Sequence, residues 1–238
     1  MKTILLFVLS LLFSLNTFAQ KNVTKFLGIP VDGTKSEMIR KIKEKGFRSS
    51  PFDPEILQGE FNGRDVTVVV VTNNDKVYRV FVTDQNSEDE RSIQIRFNKL
   101  YSQFAQNLKY IPAYSEDQRI PDDEDISYEM SVNNKRYEAA FFQDPNFDQK
   151  TKTRTDSVEV RNYIQKKLLE KYTEEQINNP TEEEKEQMTF EMFKSAYEYT
   201  IELSSNNQVW FMINEEYGKY KILLFYDNMN NQANGEDL

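Results

Sequence analysis

The chain holds 238 residues with no histidine, no cysteine and a formal charge of −9 at pH 7. Without imidazole or thiol, the serine, cysteine and zinc mechanisms that depend on either group are excluded, and so are disulfides and thiolate metal sites. The acidic balance opposes nucleic acid and anionic membrane surfaces, so neither is an expected partner.

In chain order, the first signal is one of export. Met1-Lys2 forms a short positive start, Ile4 to Leu15 is almost wholly apolar, and Thr17-Phe18-Ala19 puts small residues where a signal peptidase reads them. The apolar run of about 12 residues falls short of the roughly 20 that span a bilayer, so no membrane span is expected. These residues predict a signal peptide over 1–19, cleavage near Ala19, and a periplasmic or secreted protein. No cysteine follows, so lipidation is excluded. Exported proteins are those in which disulfides persist, and this one forgoes them, so packing must carry its stability.

Asp32-Gly33 makes a turn, and Thr34-Lys35-Ser36-Glu37 fits a capping box, in which Thr34 and Glu37 satisfy each other's backbone N–H groups. Met38, Ile39 and Ile42 follow at helical spacing, and Gly46 before Phe47 fits a left-handed C-cap, so a helix is predicted over about 35–45. Gln58 to Phe61 reads as an edge strand before the Asn62-Gly63 turn. Val66 to Thr72 pairs with Val77 to Thr83 across Asn73-Asn74-Asp75, and the first of these strands, apolar on both faces, is expected to be covered on each side. Ser87 with Glu90 repeats the capping box ahead of a stripe of Ile93, Phe97, Leu100, Tyr101, Phe104 and Leu108.

Tyr128 to Val132 and Arg136 to Phe142 read as a second hairpin across Asn133-Asn134. Val158 to Tyr172 is amphipathic. Thr173 with Gln176 and Thr181 with Glu184 are further capping boxes, the latter opening a helix whose stripe is Met188, Met192, Phe193, Ala196, Tyr199 and Leu203. A third hairpin pairs Val209 to Ile213 with Lys219 to Tyr226, and residues 228–238 form a flexible polar tail. This order predicts an α+β fold of antiparallel β-hairpins with helices packed on one face. Residues 20–227 make either one composite α+β domain or two similar halves, 20–115 and 126–227, joined by the proline-rich and acidic stretch 112–127.

What remains after imidazole and thiol is carboxylate, lysine, tyrosine or serine chemistry. Paired carboxylates suffice for glycoside hydrolysis, yet with 39 acids in the chain no pair stands out. Asp122-Asp123-Glu124-Asp125 has oxygens suited to Ca²⁺ but lacks the alternating ligands and central glycine of an EF-hand loop, and reads as a solvated linker. Glu88-Asp89-Glu90 and Glu182-Glu183-Glu184 sit where helix starts favour acids. The glycines form no phosphate loop, and Lys41, Lys43 and Lys45 read as the solvated side of the first helix. No catalytic residue, cofactor or metal is expected. The last hairpin supplies the candidate partner surface, Trp210, Tyr217, Tyr220 and Tyr226, because tyrosine and tryptophan offer rigid apolar area with a polar handle. Alternation puts Trp210 and Met212 on one face and Val209, Phe211 and Ile213 on the other, and one set must be core.

The stretch Phe26 to Glu37, with Gly59-Glu60-Phe61-Asn62-Gly63 and Asn231 to Asp237, resembles exported proteins of Gram-negative gut bacteria that carry no assigned function. More distantly, the helix entry Gly33-Thr34-x-x-Glu37 leading to antiparallel strands is similar to the SmpA/OmlA envelope proteins and to β-lactamase inhibitory proteins. That resemblance implies protein binding in the cell envelope. The expected function is an exported, noncatalytic module that binds an envelope or extracellular protein. The alternative is a glycan-binding protein or a carboxylate-dependent glycoside hydrolase.

Overall fold

The structure, a computed structural model, describes residues 23–145, 147, 148, 153, 154 and 158–233. The expected signal peptide and the last residues of the expected tail lie outside them. The described chain enters as a small hairpin, β1 (Lys25–Phe26) and β2 (Ile29–Pro30). Helix α1 (Lys35–Glu44) then leads into β3 (Arg48–Ser49), β4 (Ile56–Phe61), β5 (Arg64–Asn73) and β6 (Lys76–Asp84). Helix α2 (Glu90–Ala105) opens a second run through β7 (Tyr110–Pro112), α3 (Ile126–Val132) and β8 (Glu138–Gln143). An excursion follows, with strands β9 (Phe147–Asp148) and β10 (Thr153–Arg154) and helices α4 (Val158–Leu169), α5 (Glu174–Asn178) and α6 (Glu182–Ser204). The chain returns as β11 (Asn207–Glu216) and β12 (Lys219–Asn228).

Eight strands form one antiparallel sheet in the order β3-β4-β5-β6-β12-β11-β8-β7. The order reads as two meanders of four strands, each preceded by a helix and joined through their last members, β6 and β12. Residues 112–127 do not divide this sheet: β7 before them and β8 after them are neighbours, so the stretch lies inside the second meander. The fold is α+β, as the helix and hairpin order predicts. Three hairpins turn on two residues with left-handed backbone, Asn62-Gly63, Asn74-Asp75 and Tyr217-Gly218. Such turns match the right-handed twist of the flanking strands and fix their register.

Period-two alternation sorts the sheet into two faces. Leu57, Val66, Val68, Val70, Val80, Val82, Ile222, Leu224, Val209, Phe211, Ile213 and Phe141 are buried on one of them, beneath α1 and α2. Helix α1 contributes Met38 and Ile42, and α2 contributes Ile93, Phe97, Leu100 and Phe104. The rings of Phe97 and Phe211 meet edge-on at 5.0 Å, and Phe104 stacks on Phe141 at 5.1 Å. Phe26 of β1 plugs the far end of this layer, against Phe47, Phe61 and Tyr226.

Several expectations change. Residues 126–132 are helix, not the leading strand of a hairpin: Asp125 accepts from the Tyr128 N–H at 2.8 Å and starts α3, and Ile126 is buried. The start of α2 is capped by Asp89, which accepts from the Ser92 N–H at 2.9 Å, two residues on from the expected Ser87 cap. The boxes at Thr173 and Thr181 form with both reciprocal bonds. In α6 the expected stripe is split, with Met188 buried while Met192 and Phe193 are exposed; Ser195 is buried as well, and Tyr199 meets Tyr163 of α4. The polar tail is anchored at its start, because Asn228 is buried and its amide donates to the Val31 carbonyl at 2.9 Å. Asn231 likewise donates to Asp32 and to the Val77 carbonyl. Strand β5 is not buried on both faces: Val69 and Val71 stay half-exposed. Among the described residues no helix is long and apolar enough to cross a membrane.

Candidate functional site

The sheet face turned away from α1 and α2 carries a line of apolar residues at one register level. Val69 pairs with Phe81, Phe81 with Phe225, Phe225 with Trp210, and Trp210 with Ala140, across five strands. Trp210 stacks on Phe225 at 4.0 Å and 18°, and Phe225 lies 5.2 Å from Phe81. The neighbouring pair Leu223 and Met212 widens the line. All of these side chains are half-buried, neither sealed as core nor fully solvated. A flanking ring of this kind adds about 0.5–1.5 kcal/mol beyond its area burial, so the line is also a rigid one.

One register level away, Arg79 stands opposite Asp227. The guanidinium grips the carboxylate with two bonds, Nε to Oδ1 at 2.6 Å and Nη2 to Oδ2 at 2.7 Å. Asp227 Oδ2 also accepts from the Trp210 indole N–H at 2.9 Å, which fixes the indole in its plane. The same guanidinium lies over the Phe225 ring at 4.8 Å and the Trp210 ring at 5.6 Å. The Asp227 hydrogen bonds raise the Arg79 pKa above its ordinary value. Arg79 reaches this face by alternation with Phe81, and a β-bulge follows it toward the turn. Val71 pairs with Arg79 but Thr72 pairs with Val77, leaving Tyr78 as an extra residue. The bulge lets Val77 and Val80 both point into the core while Arg79 points to the open side, which is how bulges re-aim side chains.

The four sequence candidates do not form one surface. Trp210 belongs to the open line, whereas Tyr217 is 95% exposed at the tip of the β11–β12 turn. Tyr220 and Tyr226 are buried on the helix face. Tyr226 sits 5.1 Å from Phe26, and burial pushes its hydroxyl well above the ordinary tyrosine range. Alternation already puts Met212 beside Trp210, but Phe81, Arg79 and Asp227, which complete the open face with Phe225, were missed by sequence reasoning. The available signal was an arginine inside β6 and an aspartate near the end of β12, and it means little until the strand pairing is known.

Several other polar groups are accounted for by the fold. Asp84 and Arg96 form a buried ion pair between β6 and α2, with Nη2 to Oδ1 at 3.3 Å. The two buried carboxylates of the sheet, Asp84 and Asp227, are thus each held by an arginine and give no support to a carboxylate hydrolase. In the acidic run, Asp122 meets Arg91, Glu124 accepts from Lys135 and from the Tyr137 hydroxyl, and Asp125 caps α3. Among the described residues no group of three or more acids converges as a metal site. A groove of 770 Å³ beside the start of α1 is lined by Lys35, Arg40 and Lys43, of which Lys35 pairs with Glu55 and Arg40 with Glu44. The Lys109 titration is pushed down to about 8 by burial and then by nearby Lys25. Compared with protein-family models, curated proteins and solved structures, the chain matches none.

Proposed function

We propose that the protein is an exported, noncatalytic module that binds another envelope or extracellular protein through the open face of its sheet. The observation that carries this reading is the half-buried line from Val69 through Phe81 and Phe225 to Trp210, widened by Met212 and Leu223. Contiguous apolar area left partly open to solvent marks interaction sites on protein surfaces. Its anchors are of the types that dominate binding energy, tryptophan, arginine and large aromatics. They are also preorganised: the Asp227 clamp holds Trp210 and Arg79 before any partner arrives, which lowers the entropy lost on binding. The envelope resemblance of the helix entry and the apolar leader of the chain point the same way.

The test is site-specific photocrosslinking in native cells. A photoreactive side chain at Met212, on the open face, is expected to trap one reproducible protein, and the same group at Glu44, on the exposed side of α1, is not. No adduct at Met212, or the same adducts from both positions, would overturn the reading.

A further inference from the structure

Helix α6 turns an apolar stripe outward. Its inner face is set by Met188 and Ser195, which are buried, and by Tyr199, whose ring packs 5.0 Å from Tyr163 of α4. On the opposite side Phe190, Phe193 and Tyr197 follow at spacings of three and four and are 67%, 73% and 58% exposed. Three large aromatics in one helical stripe are costly to leave in water, since each would contribute about 1.5–3 kcal/mol if buried. Nothing else among the described residues covers them.

The charge around the stripe indicates what would. Beside Phe190 lies a cleft of about 500 Å³ lined by Tyr172, Glu183, Glu186, Gln187, Phe190 and Glu191. Glu191 is paired with Lys171 at 2.7 Å, but neither Glu183 nor Glu186 has a cationic partner among the described residues. The two lysines of α6 are already engaged, Lys185 with Glu182 and Lys194 with Glu198. An aromatic ring beside free carboxylates suits an ammonium or guanidinium group, which gains both from the ring face and from the charge. An anionic lipid surface would be repelled by the same glutamates. A second copy of the helix would set glutamate against glutamate in either orientation, which is destabilising.

We propose that the outer face of α6 is a docking surface for a basic amphipathic segment of a partner protein, with apolar anchors seated on Phe190, Phe193 and Tyr197 and a lysine or arginine received by the Glu183 and Glu186 cleft. This is the helix-face mode of peptide recognition, in which anchors recur at helical spacing. The surface is separate from the open sheet face, and neither proposal depends on the other.

The probe is a fluorescent synthetic peptide with leucine and lysine at amphipathic helical spacing, titrated into the purified protein and read by anisotropy. A matched peptide with glutamate in place of lysine is the control. Saturable binding of the basic peptide alone is expected, falling with added salt. It should weaken at least ~10-fold in Phe190→Ser/Phe193→Ser and in Glu183→Gln/Glu186→Gln, and remain unchanged in Phe52→Ser, an exposed aromatic between β3 and β4. The Glu→Gln variant alters charge without touching packing, so it remains informative if the serine variant misfolds. Absence of saturable binding, equal binding of the acidic peptide, indifference to both α6 variants, or stripe-dependent sedimentation with phosphatidylglycerol vesicles would each overturn the proposal.

Discussion

Lys109 shows how one residue reports on its surroundings. It precedes β7, faces the Tyr110 ring at 5.3 Å, and loses enough water that its pKa falls from 10.5 to about 8. The unfolded chain therefore holds more protons than the folded one between about pH 8 and 10.5, and stability rises with pH across that window. Below it the cost of the buried charge is fully present. Lys109→Met is expected to stabilise the protein at pH 7 by roughly 1–2 kcal/mol, less than the whole shift implies because the side chain keeps some solvent. Urea unfolding at pH 7 and pH 10.5 checks this: the advantage of the variant must shrink at the higher pH, and a constant difference would disprove the assignment. Asp227 is the opposite kind of residue, buried with all its charge answered by Arg79 and an indole N–H. Its residue type is plain in the sequence, but its two partners lie 148 and 17 residues away.

At the level of elements, capping and turn chemistry are legible because they are local. Thr34, Thr173 and Thr181 each accept from the N–H three residues on, as a helix start requires, and the Asn-Gly and Asn-Asp pairs adopt the left-handed turns they favour. Tyr128 to Val132 misleads because a short run of β-formers carries no reliable periodicity, and the Asp125 cap decides for helix. Packing between elements is less legible still. Gly59 in β4 is needed because the buried Phe47 ring lies against it: an added Cβ would stand 2.7, 2.9 and 3.0 Å from three ring carbons. Gly59→Ala is expected to cost ~1–3 kcal/mol, as overpacking does. Adding Phe47→Leu should recover part of that loss in a double-mutant cycle, and strict additivity of the two changes would show that the contact is not the cause.

The whole molecule divides in cooperativity rather than in domains. The eight-stranded sheet runs through both meanders, so its central strands share one core, whereas α4 to α6 bury few side chains, chiefly Leu168, Met188 and Ser195. Hydrogen exchange should therefore find the amides of β5, β6, β11 and β12 opening only with global unfolding, and those of α4 and α6 opening locally at lower free energy. Equal protection in both regions would contradict that division. By itself the sequence determined the α+β class, the helix starts at Thr34, Thr173 and Thr181, the Asn62-Gly63 turn and the absence of imidazole and thiol chemistry, because each depends on residue type or on neighbours within a few positions. Only the tertiary structure decided that Tyr220 and Tyr226 are core, that Phe81, Phe225 and Trp210 share one line, and that the pairing of β6 with β12 brings Arg79 to Asp227. Alternation says that two faces exist, but which face the helices cover, and which residues stand level across strands, is fixed by pairing between segments far apart in the chain.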